Sequence, residues 1–510
     1  MEKLISRNPA TGEPLVELPA TPLDSLPSVF ATARRAQREW ATLSVKKRCN
    51  VLLQLRETLL NRADDVIEVL SKENGKPAAE ALMNEVVPSV DTLSFFARQA
   101  PRMLRDKKIP MRLMKHRSSY INYWPMGVVV VISPWNYPLL LPFGDIVMAL
   151  ASGNAVIFKP SEITPLIGMR IQQLCDECGF PPGLVQTVLG DGSLGAALIQ
   201  QKPDKIFFTG SVATGKRVAM AAAEHLIPVN LELGGKDAML VLADANLDYA
   251  TSAALWGAFS NSGQVCASTE RILVHEKIAE PFVSLLKEKI ASLRASDLGS
   301  ITMEKQKSVY EAHIREAKER GARFVTGGEF SADRTRLQPT LVTGPEIENL
   351  LIYNEETFGP VVAVSTFKSL AEGIEKANRG RYGLLASVIT RNSSLGEEVA
   401  RKLEVGTAIV NEVTYTAGLG ETPWGGIKES GIGRTHSEMG LLEFVNVRHI
   451  HKPRFGFYFK SLWWFPYTPY QYATFRQFIE LYRRSRWDRL RAFPHVLWNL
   501  VQFLKKEKRT

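Results

Sequence analysis

Gly127-Val128-Val129-Val130-Val131-Ile132 is an unbroken apolar run. It suits a parallel strand buried on both faces, because a half-wet strand would alternate apolar and polar residues. Working outward, short apolar runs follow at 154–158, 185–189, 205–208 and 229–233, with helical stretches between most of them. Strands alternating with helices predict a doubly wound α/β sheet, the usual host for a dinucleotide at the carboxyl ends of its strands.

A second alternating section spans about 238–434, with strands expected at 238–242, 271–274, 361–367, 385–390 and 407–411. It reads as a second α/β domain. Upstream, a turn-rich opening (Asn8-Pro9 to Pro14) leads into helical periodicity over 25–105, including runs at 46–61 and 64–73. A chain of 510 residues exceeds one ordinary core, so two or three domains are expected. Four cysteines (Cys49, Cys175, Cys178, Cys266) give no disulfide framework, and Met1 to Gly12 holds no apolar stretch long enough for a signal peptide. Both fit a reducing, cytoplasmic location. Of the net charge of +10, residues 456–510 supply +8, with 11 Lys/Arg against 3 Asp/Glu. The nearly neutral body argues against a nucleic-acid partner.

Gly263-Gln264-Val265-Cys266 places a thiol after a flexible glycine and ahead of the expected strand 271–274. The residues from Asp244 to Leu255 read as a capped helix that would hold this loop, with Leu247, Ala250, Ala254 and Leu255 on one face. A lone cysteine is by itself more often a small core hydrophobe, so the surrounding groups decide. Pro134-Trp135-Asn136-Tyr137-Pro138 offers a neutral amide donor, Asn136, in a stretch stiffened by prolines, and such a donor can stabilise an oxyanion. Leu231-Glu232-Leu233-Gly234-Gly235 sets a carboxylate in an apolar setting, where desolvation raises its pKa toward that of a useful base. Phe158-Lys159-Pro160-Ser161-Glu162 and Glu355-Glu356-Thr357-Phe358-Gly359-Pro360 place charges at further turns.

This ordered set, from about residue 8 to 452, resembles the aldehyde dehydrogenase superfamily. The resemblance implies two doubly wound α/β domains, one of them Rossmann-like, with a small β oligomerisation arm, to which the change of composition and the helical periodicity after residue 455 add a helical C-terminal tail. Its limits would be 1–110 with 126–234 for the dinucleotide-binding domain, 235–434 for the catalytic domain, 111–125 with 435–455 for the arm and 456–510 for the tail. It implies Cys266 as the nucleophile that forms a thiohemiacetal and then a thioester. The amide of Asn136 and the Cys266 N–H would hold the oxyanion, and Glu232 would activate the hydrolytic water. Cofactor contacts would fall to Trp135, Lys159, Ser161, Glu162, Gly210, Ser211, Gly215, Leu233, Gly234, Glu356 and Phe358. Glu162 would repel a 2′-phosphate, which favours NAD, with NADP as the alternative. No metal is expected, and a homodimer or homotetramer is implied.

Three rival readings are weaker. Gly210-Ser211-Val212-Ala213-Thr214-Gly215-Lys216 matches most of a phosphate-binding loop, but Arg217 stands where a Mg²⁺-binding Ser or Thr is needed. Cys175 and Cys178 lack a second pair or His cluster and read as helix-end packing. A coenzyme A-acylating enzyme fits less well while Glu232 is intact. Thr435 stands where many members of the superfamily carry an acidic residue, a departure that bears on any proton relay through this position and not on the core mechanism. The tail holds 16 aromatic residues interleaved with basic ones. In 471–484, Tyr472, Phe475, Phe478, Ile479 and Tyr482 share a helical face, and 496–504 forms a second amphipathic run. Either the tail lies on an anionic membrane surface, as a peripheral attachment to the inner face, or it packs on the protein or across subunits. A membrane tail would accompany a long-chain or otherwise apolar aldehyde; the alternative is a semialdehyde or other small aldehyde.

Overall fold

The computed structural model describes residues 3–112 and 114–455, and beyond them 461, 463–465, 467–482, 487, 490, 493–498 and 501. The valine run forms strand Val128–Ile132 with every side chain buried. It belongs to a six-stranded sheet ordered Gly431–Ile432, Val229–Glu232, Lys205–Thr209, Val128–Ile132, Ala155–Lys159, Val185–Thr187. Val128–Ile132 pairs in parallel with Ala155–Lys159 on one side and Lys205–Thr209 on the other. Strand order therefore runs outward in both directions from Val128–Ile132, and at such a switch point the carboxyl ends of the strands open a crevice. The edge strand Gly431–Ile432 is antiparallel, with Gly431 opposite Glu232.

The second sheet has seven strands, ordered Arg323–Thr326, Thr340–Thr343, Val361–Phe367, Thr269–His275, Asp237–Val241, Leu385–Ile389, Thr407–Val410. Only the Arg323–Thr326 pairing is antiparallel. These two α/β sheets are the architecture that the alternating pattern predicts. The helical periodicity over 25–105 resolves into Leu26–Thr42, Val45–Asn61, Ala63–Asn74 and Val87–Met103. Between the last two lies a wider, π-helical turn at Leu82–Val86. The helix Leu140–Ser152 is buried along nearly its whole length, and the indole of Trp40 donates to the Leu150 carbonyl at 2.8 Å.

The opening at 8–14 is a turn, as read, and the residues on either side of it pair. It forms an antiparallel hairpin, Lys3–Arg7 with Pro14–Pro19, in which Ser6 faces Val16. Asn8 builds the turn, its side chain accepting the Ala10 N–H at 2.9 Å and its carbonyl the Gly12 N–H at 2.7 Å. The flanking strands are short and mostly exposed, so they carry little hydrophobic signal.

The chain divides into two compact units, residues 1–106 with 122–448 and residues 107–121 with 449–510. A three-stranded sheet is ordered Val445–Pro453, Arg117–Pro125, Lys107–Ile109, and so takes in a short strand that the sequence reading gave to the first domain. In the second unit, helix Pro469–Glu480 starts with a capping box, the Thr468 hydroxyl accepting the Gln471 N–H at 3.3 Å. Residues 483–486, most of 496–504 and the basic run 505–509 lie outside the described residues. Among the described residues, no helix is long and apolar enough to cross a membrane.

Candidate active site

The loop that carries Cys266 begins where helix Leu247–Phe259 ends. Asn246 caps that helix, accepting the Tyr249 N–H at 3.1 Å. The chain then turns through Asn261 (φ 48°), Ser262 (φ 55°) and Gly263 (φ 70°). Gly263 is required twice over, since a Cβ there would sit 2.0 Å from the Gly359 carbonyl oxygen. This turn delivers Cys266 into a cavity of about 730 Å³ at the carboxyl ends of the first sheet's strands.

The cavity brings together most of the predicted site residues. Trp135, Asn136, Lys159, Ser161, Glu162, Gly210, Ser211, Glu232, Leu233, Gly234, Cys266, Glu356 and Phe358 all line it. Gly215 does not; a Cβ at this position would meet Leu233 Cδ2 at 2.5 Å, so this glycine lets helix Val212–Ala223 approach the sheet. Thr214, Arg217, Gly192, Gly195, Met303 and Gln306 also line the cavity and were missed by sequence reasoning. Gly192 and Thr214 carried a usable signal, because each lies just after a capping residue, Asp191 or Ser211, at a strand-to-helix turn. Met303 and Gln306 gave none, since only the tertiary fold brings their segment here.

Burial pushes the Cys266 thiol well up, and the carboxylates of Asp237, Glu356 and Glu232 push it the same way. The resting side chain is therefore a thiol. Glu232 is also held well above the usual carboxylate range, first by burial and then by Asp145, with Arg434 opposing. Neither of its carboxylate oxygens has a hydrogen-bond partner among the described residues. Asn136 donates one side-chain N–H to the Gln264 carbonyl at 3.0 Å, which fixes its amide two residues from Cys266 in the chain and leaves the second N–H free of that bond.

On the cofactor side, Glu356 accepts the Gly235 N–H at 3.0 Å, and burial raises its pKa to about 8. Phe358 sits at φ 55° and packs edge-on to Trp135, with ring centroids 5.5 Å apart. Glu270, paired with Lys236, anchors this turn by accepting the N–H groups of Thr357 and Phe358 at 2.8 and 2.9 Å. These groups fit a dinucleotide. Buried Lys159 supplies an ammonium 3.7 Å from Glu162, as a ribose would need. The capped starts of helices Gly192–Gln200 and Val212–Ala223 reach the cavity through Gly192, Ser211 and Thr214, as a pyrophosphate site would need. Lys216 pairs instead with Glu429 at 2.8 Å on the surface, which removes the last support for a nucleotide-hydrolysing loop. Cys175 is buried and Cys178 donates to the Leu174 carbonyl at 3.2 Å, as helix-end packing requires.

Comparison with known proteins agrees with this chemistry. Residues 2–450 match the family model described as "Aldehyde dehydrogenase family". The chain is 38% identical over 489 residues to 4,4'-diapolycopene aldehyde oxidase of a Methylomonas species, covering 94% of this chain and 91% of that protein. It is 37% identical over 455 residues to the putative succinate-semialdehyde dehydrogenase [NADP(+)] of Mycolicibacterium smegmatis, covering 87% of each. Among solved structures, betaine aldehyde dehydrogenase from Staphylococcus aureus in complex with NAD+ superposes with a TM-score of 0.84 at 30% identity, over 90% of this chain and 94% of that one.

Proposed function

The chain belongs to the aldehyde dehydrogenase family and is an NAD(P)-dependent aldehyde dehydrogenase, and from that premise we propose how its residues divide the work. Cys266 loses its thiol proton to water in the cavity and its Sγ bonds to the aldehyde carbonyl carbon, while the Asn136 N–H not bonded to Gln264 receives the developing oxyanion. NAD(P), held by residues that include Lys159, Glu356 and Phe358, would supply the hydride acceptor that turns the thiohemiacetal on Cys266 into a thioester. Glu232 then takes a proton from water, the resulting hydroxide attacks the thioester carbonyl, and the C–S bond breaks to release the carboxylic acid. The observation that carries this reading is that Cys266, Asn136 and Glu232 line one cavity with Glu356 and Phe358. Glu162 in the ribose region supports NAD over NADP.

For the substrate, the names of the succinate-semialdehyde and betaine aldehyde relatives favour a small aldehyde. A second reading, an apolar aldehyde, has two supports. Cys266 packs against an apolar cluster that includes Tyr137, Leu140, Val265 and Trp424. The match to the diapolycopene aldehyde oxidase covers 94% of the chain, more than the roughly 89% that ends at residue 455, so it runs into the tail. NADH and NADPH formation against aldehydes of increasing chain length, with Cys266→Ala as control, tests both. Activity confined to short members sinks the apolar reading, and kcat/KM rising with length sinks the small one.

The tail reading is peripheral contact with anionic lipid. Its support is an inverted helix: in Pro469–Glu480, Gln471 and Thr474 are buried, whereas Tyr472 is 74% and Ile479 60% exposed. With 11 Lys/Arg against 3 Asp/Glu in residues 456–510, the charge complements an anionic surface.

A further inference from the structure

An amide can serve an oxyanion only if its backbone is held still. The Asn136 carbonyl accepts two buried donors, Lys76 Nζ at 2.9 Å and Asn261 Nδ2 at 3.0 Å. Lys76 is paired with Glu85, and both side chains are fully buried. The other oxygen of Glu85 accepts the backbone N–H groups of Leu139 and Leu140 at 2.8 and 3.2 Å. One ion pair thus grips residues 136–140 from both ends. Glu85 reaches them from the π-helical turn Leu82–Val86, a rare insertion that redirects side chains and is frequent at functional sites. Next to it, Asn74 Nδ2 donates to the Trp135 carbonyl at 2.7 Å. A buried ion pair is a weak source of net stability, because desolvation offsets most of its Coulomb attraction.

The geometry points to Lys76 and Glu85 as positioning residues that act on the reaction through Asn136, without touching substrate or cofactor. This rests on the oxyanion role proposed for Asn136, and a double-mutant cycle separates the two ideas. Single-turnover hydride transfer would be measured in the full chain for Lys76→Met, Asn136→Ala and the double variant, with the NAD Kd from fluorescence. Asn136→Ala is expected to slow the step about 10²- to 10³-fold, as loss of one oxyanion donor does. Lys76→Met is expected to slow it about 10²-fold by misplacing that donor, with the NAD Kd unchanged. The double variant should be no slower than Asn136→Ala alone.

Multiplying effects would overturn the positioning role, as would a normal rate for Lys76→Met. A normal rate for Asn136→Ala would instead overturn the oxyanion assignment. Should Lys76→Met fail to fold, Glu85→Gln carries the same cycle, because it keeps the shape of the side chain while removing the charge that pairs with Lys76. Lys205→Met controls for stability. It breaks a pair with Glu443 (2.9 Å) at the amino end of strand Lys205–Thr209, away from the cavity. If it slows hydride transfer as much as Lys76→Met at equal loss of Tm, general destabilisation explains both and the proposal fails.

Discussion

At the scale of single residues, Cys266 and Glu232 should fail in different ways. Cys266→Ala is expected to abolish aldehyde oxidation while leaving NAD affinity within about twofold, read by fluorescence titration. Glu232→Gln should keep a first burst of reduced cofactor but lower steady-state turnover by about 10²- to 10⁴-fold, since only thioester hydrolysis loses its base. The pH dependence follows from the burial of Glu232. Only its carboxylate form can accept a proton from water, and burial with Asp145 raises its pKa, so kcat should rise with pH. Asp145 is itself raised to about 7, and it accepts the Thr435 hydroxyl at 3.0 Å. Asp145→Asn removes a charge that penalises the Glu232 carboxylate, so the rising limb of kcat should move to lower pH. A limb that stays in place would show that the two carboxyl groups are uncoupled. Cys266, Asn136 and Glu232, which share one cavity, could be picked out in the sequence because each sits in a short local motif. Asp145 and the Lys76–Glu85 pair could not, because their partners are distant in the chain, at Thr435 and at Asn136 to Leu140.

Elements built on a single strong period or cap could be read directly. The valine run could only be a buried strand, and the capped helix read at 244–255 is present, starting later at Leu247 with Asn246 as its cap and running on to Phe259. What could not be read was the geometry between elements. The turn at Ser260–Gly263 looked like a flexible glycine, but it is a left-handed sequence of residues pressed against Gly359. Gly263→Ala should therefore remove activity by at least about 10²-fold and lower Tm by several degrees, because both φ and the missing space exclude a Cβ. Wild-type kcat in that variant would mean that the loop can deliver Cys266 by another path. The opening hairpin was hidden for the opposite reason, its strands being short and half wet. Likewise Gly215 was read as a cofactor contact, whereas in the fold its missing side chain makes room for Leu233.

For the whole molecule, a chain truncated after residue 455 should keep its kcat/KM for a short aldehyde within about twofold, because among the described residues the cavity lining ends at Phe358 and the family match ends at residue 450. Its flotation with anionic liposomes should fall below that of the full chain, and equal flotation would remove the lipid role of the tail. The two-sheet plan was legible because alternation of strand and helix is a local signal repeated many times. The closing strand Gly431–Ile432 was invisible, being too short for any pattern, yet it completes the first sheet beside Glu232. That placement has a consequence for how the protein is made. A ribosome that has finished Val229–Glu232 must still add about 200 residues before the strand that covers this edge emerges. At about 5–20 residues per second the wait is on the order of 10–40 s, during which a nascent chain offers unpaired backbone to any neighbour on the same message. The yield of this protein should therefore respond to codon choice between 233 and 430 and to chaperone supply.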